Sequence, residues 1–199
     1  MLHDDLQQIK VFVVADAWLF LFYKAPSQPS SARVTAWRRL HRSGAVFLGP
    51  SSCAVPARLE VGRELERIVT DLRAAGGSSE LFRVDQMSRE SEQRLVELYN
   101  AARDAEYGEL IEQAEAVVEE LKREGARQKF TFAEVEENEA DLTKLRRWLS
   151  RIRWRDLFEA SGRARAEAAV RRAQEQLDEF ARIATERDSE GAGSDRQPR

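Results

Sequence analysis

The sequence predicts an α+β protein, with a ferredoxin-like βαββαβ domain followed by an antiparallel helical domain of about three helices. Three observations carry that expectation. Before residue 88, short apolar runs alternate with amphipathic helical stretches. After it strand-like runs disappear, and apolar residues recur at helical spacing. Four strands and two helices within about seventy residues close most economically as an antiparallel sheet with both helices on one face. The expected ranges are an N-terminal extension (1–16), the α+β domain (17–87), the helical domain (88–187) and a polar, disordered tail (188–199).

The elements follow in order. "AWLFLFYKAP" is an apolar strand, closed by Pro26 and Pro29, which stop a helix and leave an extended exit. Ser30 or Ser31 can cap a helix through Arg42 that gathers Val34, Trp37, Leu40 and His41 on one side, with Gly44 as its stop. "AVFLG" and "CAVPA" flank the turn-like "GPSS" as a hairpin. "RLEVGRELERIVTDLRAAGG" is an amphipathic helix ending in glycine, and "SELFRVDQM" supplies the fourth strand.

In the second half, Leu95, Leu98, Ala102 and Ala105, then Tyr107, Leu110, Ala114, Val117 and Leu121, suggest one long helix, disturbed at Gly108 and punctuated at Gly125. A second helix runs from about Ala133 to Phe158 on a seam of Val135, Asn138, Leu142, Leu145, Leu149 and Ile152. On that seam a polar Asn138 costs stability and can fix register. A third helix, from Arg163 to about Arg187, offers alanines for close packing.

Charge bounds the function. Of 199 residues 34% are charged, yet the net charge is −3, so no global field draws the chain to nucleic acid. The balance hides a split: 104–141 holds thirteen acidic and four basic residues, and 142–172 three acidic and ten basic. Cys53 is the only cysteine, which excludes an intramolecular disulfide and a cysteine zinc cluster. The acidic start and the short, Asp16-interrupted apolar run fit neither a secretory signal nor a membrane span, so a cytoplasmic, non-membrane protein is expected.

No catalytic constellation emerges. His3 and His41 stand apart from any triad or metal pattern, Cys53 reads as strand packing, and no phosphate-binding or dinucleotide glycine motif is present. The chain is therefore expected not to be an enzyme and to need no cofactor or metal. The contact candidates are arginines. Arg33, Arg38, Arg39 and Arg42 lie on the first helix, with Arg33 one turn from Trp37 and able to cover its ring. On the second long helix Arg147, Arg151 and Arg155 recur every four residues opposite the leucine seam, with Trp154 beside them. Acids at that helix's start and cations at its end also offset its dipole, which explains the order of charges without a ligand. Trp148 reads as packed and Trp154 as surface.

The stretches "WLFLFYKAP", "RVTAWRRLHRSGAVFL", "YNAARDAEYGEL" and "KFTFAEVEENEADLTKLRRWLSRI" resemble the N-terminal domain of the ChrB chromate-resistance proteins, over residues 18 to about 180. The resemblance implies a bacterial cytoplasmic regulator, a chromate-responsive, DNA-binding transcription factor of a chromate-efflux operon. Longer members of the family carry a C-terminal domain, so a stand-alone form could instead be an interaction module pairing with a separately encoded one. DNA, chromate or another oxyanion, and a second copy in a homodimer are the partners this brings into view. The inferred sheet is also similar in topology to the small CRISPR-adaptation proteins and to the dimerisation domain of phenylacetate-pathway repressors. The metal-dependent nucleases of that group place an aspartate at the end of the first strand. Phe22, Tyr23 and Lys24 stand there instead, which demotes a nuclease reading.

Overall fold

The computed structural model describes residues 17–26 and 30–194. The 1–16 extension with His3, Pro29 and the last five residues of the expected tail lie outside the described residues. The described chain is a mostly helical α+β structure, ordered β1 (Trp18–Lys24), α1 (Ser30–Arg42), β2 (Val46–Gly49), β3 (Ser52–Pro56), α2 (Leu59–Ala74), β4 (Ser78–Val84), α3 (Arg89–Ala126), α4 (Phe132–Arg155) and α5 (Arg163–Ser194). It divides into two compact units between Ala102 and Arg103, within α3.

In the first unit four strands form one antiparallel sheet in the order β2-β3-β1-β4. Strand alternation sorts β1. Leu19, Leu21 and Tyr23 join Cys53 and Val55 of β3 in a core with Ala36 and Leu40 of α1 and Leu65, Ile68 and Leu72 of α2. Leu21, Leu40, Leu65 and Ile68 have no solvent exposure, and burying each stabilises by about 1.5–3 kcal/mol. α2 turns into β4 through Gly76, at φ 85°, and Gly77, where an added Cβ would lie 2.6 Å from the Lys24 carbonyl oxygen. No side chain fits that approach.

On the other sheet face Trp18 is buried edge-to-face against Tyr99, ring centroids 6.1 Å apart. Farther along that face Phe22 and Phe82 meet edge-to-face at 5.9 Å and stay about half exposed. The first turns of α3, with Leu95, Val96 and Tyr99 buried, therefore belong with the sheet unit. Ser88 starts that helix by accepting a hydrogen bond from the Ser91 N–H.

The buried stripe of α3 differs from the expected one. Leu98 and Ala105 face solvent, while Tyr99, Arg103 and Tyr107 are buried at four-residue intervals. The helix phase is set by Tyr99 packing on Trp18 and by the Tyr107 hydroxyl donating to Asp156, not by the leucines alone. Gly108 does not interrupt the helix.

In the second unit Tyr107, Leu110, Ala114 and Leu121 of α3 meet Val135, Leu142, Leu145 and Ile152 of α4 and the Ala166, Ala169, Ala173, Leu177 and Phe180 stripe of α5. Asn138 is on the buried seam as expected, and its Nδ2 donates to the Glu134 carbonyl (2.9 Å) and to Glu124 Oε2 (3.4 Å). Thr131 caps α4 by accepting from the Glu134 N–H.

Two helix ends depart from expectation. α4 stops at Arg155, not Phe158, because the buried Asp156 turns the chain. Its carboxylate accepts from the Tyr107 hydroxyl (3.0 Å) and from the Ala160 N–H (2.9 Å). α5 continues to Ser194, past the expected end at Arg187. The connection between α4 and α5 is pinned at a second point. Asp104 accepts from the Gly162 N–H (2.7 Å) and from the Ser161 hydroxyl (3.0 Å), and Gly162 packs so near Tyr107 that an added Cβ would lie 3.0 Å from its Cβ.

Candidate nucleic-acid interface

α1 ends where Gly44, at φ 81°, lets the chain reverse and the Ala45 N–H reach the Leu40 carbonyl. Only Ala36 and Leu40 of this helix are deeply buried among its apolar residues. The expected apolar side of Val34, Trp37, Leu40 and His41 is thus split. Val34 and Trp37 are 42% and 50% exposed. Trp37 rests against the His41 ring (4.1 Å between centroids), and His41 against Phe47 of β2 (4.8 Å). It is His41, not Arg33, that meets the Trp37 ring.

The four arginines of α1 divide. Arg39 lies on the flank toward α2, where its Nε donates to Glu64 Oε1 (2.7 Å) and its other arm pairs with Asp71. The Glu64 hydrogen bond holds that guanidinium above its usual range despite partial burial. With two carboxylates on one guanidinium, Arg39 is a strut between helices and a poor receptor for an oxyanion. Arg33, Arg38 and Arg42 are exposed and have no carboxylate partner among the described residues.

The α4 row divides too. Arg155 is 12% exposed in its side chain, paired with Glu106 and donating to the Arg151 carbonyl (3.1 Å). Arg153 pairs with Glu167 at 3.3 Å. Arg147 and Arg151 are exposed, without a carboxylate partner among the described residues. Trp154 is 47% exposed, and Trp148 is partly buried against the helical core. Cys53 has 1% exposure, and burial pushes its thiol up to about 12, so little thiolate exists near neutrality.

One sequence signal for this surface is easily overlooked. From Ala17 to Leu59 the chain has no aspartate or glutamate, while carrying Lys24, Arg33, Arg38, Arg39, Arg42 and Arg58. The cations lie in β1, α1 and the loop after β3, while β2 and β3 carry no charge. α4 by contrast mixes five acidic residues with six basic ones.

The fold and surface define a class: an antiparallel α+β unit continued by a helical unit, with exposed arginines on each. The family model described as Protein ChrB, N-terminal, matches residues 33–189, and the chain belongs to that family. Membership associates it with chromate resistance. Comparison with curated proteins finds no match. No described helix is long and apolar enough to cross a membrane.

Proposed function

We propose that the protein is a non-enzymatic, cytoplasmic transcriptional regulator of a chromate-efflux operon that binds DNA, as a homodimer, through arginines of α1 and α4. The observation that carries this reading is the set of exposed guanidiniums without carboxylate partners among the described residues, Arg33, Arg38 and Arg42 on one helix and Arg146, Arg147 and Arg151 on the other. Free guanidiniums suit phosphate oxygens, whereas Arg39 and Arg155 are already engaged. The strand order β2-β3-β1-β4 supports placing the first unit in the ferredoxin-like class.

A gel shift against the upstream region of the protein's own operon tests the reading. Shifted complexes should weaken steeply with salt, since each neutralised phosphate releases counterions. If replacing Arg147, Arg151 and Arg155 by alanine leaves both affinity and salt slope unchanged, the α4 row is not the DNA site. Calorimetric titration with chromate against sulfate tests whether the same arginines take an oxyanion. Cleavage of nucleic acid with Mg²⁺ or Mn²⁺ that is lost on chelation would overturn the non-enzymatic assignment.

A second reading, an interaction module for a separately encoded C-terminal domain, is favoured by the half-exposed Phe22 and Phe82 on the open sheet face. Contiguous exposed apolar surface is where protein contacts form, and this pair supplies the start of such a surface. Co-purification with that domain, abolished by Phe22→Ser and Phe82→Ser while DNA binding persists, would assign the face to it.

A further inference from the structure

From the α1–β2 face of the first unit we infer that the protein holds an unpaired nucleic-acid strand there, with one base stacked on Trp37 and the flanking phosphates on Arg38 and Arg42. The inference rests on nucleic acid being the partner, as proposed above, and goes further by naming its form. Five observations carry it.

Trp37 is half exposed on a helix whose inward arc is filled by Ala36 and Leu40, so its ring is not needed to close the core. The ring is held on one side: His41 meets it edge-on at 4.1 Å and Phe47 meets His41 at 4.8 Å, a run of ring contacts leading from β2 to the surface. Exposed Val34, one turn before Arg38, widens the apolar platform. Arg38 and Arg42 are one helical turn apart, about 6 Å along the axis, and free of carboxylates among the described residues.

The absence of any acid from Ala17 to Leu59 removes the usual repulsion of a polyanion from the strands and the helix that build this face. A cationic surface with an exposed aromatic platform is the arrangement that binds single strands, because each base offers a π-face once it leaves the stack. A duplex presents phosphates and groove edges but no free base face. Against it the half-exposed indole would gain nothing, while the arginines would bind as well as before. The chemistry therefore separates the two forms at Trp37 and not at the arginines.

The test measures fluorescence anisotropy of labelled oligothymidine, oligouridine and a DNA duplex of equal length, with the full chain and with Trp37→Ala, Trp37→Phe and Arg38→Ala/Arg42→Ala. Melting curves check that each variant is folded. The inference expects a single strand to bind more tightly than the duplex, and Trp37→Ala to weaken that strand about tenfold. It expects Trp37→Phe to retain most of the affinity and the arginine pair to flatten the salt dependence for every probe. The preference between oligothymidine and oligouridine then tells DNA from RNA as the source of the strand. Duplex and strand bound equally, with Trp37→Ala changing neither, would overturn the inference and leave the nucleic-acid reading intact. Polyglutamate competing as well as the strand would overturn it in favour of an acidic protein partner. Failure of every oligonucleotide, single or double, would remove both readings together.

Discussion

The first unit and the second each present a helix with several arginines, and they use them differently. On α1 one arginine of four, Arg39, is bound to carboxylates, and the remaining three stand in a stretch of chain that contains no acid. On α4 Arg153 and Arg155 are taken by Glu167 and Glu106, and Arg146, Arg147 and Arg151, exposed and without a carboxylate partner among the described residues, share their helix with five acidic residues. What attracts a polyanion is the guanidinium left over after internal pairing, within the local field of its neighbours. Each helix keeps three arginines without a carboxylate partner among the described residues, and the absence of acid around those of α1 makes α1 the stronger candidate.

The largest effects break the platform beneath one arginine face or the other. Leu40 under the α1 face and Ile152 under the α4 face both have no solvent exposure. Leu40→Ala and Ile152→Ala should each cost about 2–5 kcal/mol, measured as a lowered urea midpoint. A midpoint unchanged in either variant would mean that the corresponding helix is not held by its apolar face.

Next in size is the contrast itself. Replacing Arg33, Arg38 and Arg42 by alanine should lower the slope of log K against log salt for duplex DNA by about 2–3, from about 0.9 per lost phosphate contact. The Arg147→Ala/Arg151→Ala pair should lower it by less than about 2. Equal slopes per arginine on the two helices would erase the difference drawn here.

The smallest effect concerns pH and the second unit alone. Burial first, then the hydrogen bond and like charge of Glu134, hold the Glu124 carboxyl above its usual range, with Asn138 and Lys129 offsetting part of the shift. A carboxyl with a raised folded-state pKa binds its proton more tightly in the folded state. Its contribution is thus complete below the ordinary glutamate range and is lost as pH rises through the folded value. Glu124→Gln, which keeps an oxygen to accept from the Asn138 amide, should make thermal stability less dependent on pH from weakly acid to neutral solution. A melting temperature whose pH dependence is unaltered by Glu124→Gln would remove Glu124 as its source.

Much of the fold was legible because it follows from periodicity. The strands, the hairpin and the three long helices rest on runs of apolar residues at spacings of two or of three and four, and glycine stops fall where Gly44 and Gly76 take positive φ. What was not legible depends on contacts distant in sequence. Trp37 and Leu40 are indistinguishable on a helical wheel until α2 and β2 decide which flank is covered. Leu98 looks like a seam residue until Trp18 selects Tyr99. Asp156 looks like a stray charge within a basic run until Tyr107, 49 residues earlier, donates to it. The arginine clusters were visible as a list, but their division into struts and free cations required the partners Glu64, Asp71 and Glu106.

The turn between α4 and α5 sets more than a chain reversal. Asp156 hydrogen-bonded to Tyr107, and Gly162 seated on Asp104, act as pegs that fix the rotational phase of α4 about its own axis. Each residue advances an α-helix by about 100°, so one residue inserted between Ile152 and Asp156 would turn Arg147 and Arg151 away from their present bearing if the pegs held. The outward direction of that row is thus inherited from two carboxylates, the buried Asp156 and the half-buried Asp104. In this unit substitutions can retune the strength of the surface, whereas its aim changes only by insertion, deletion or loss of a peg.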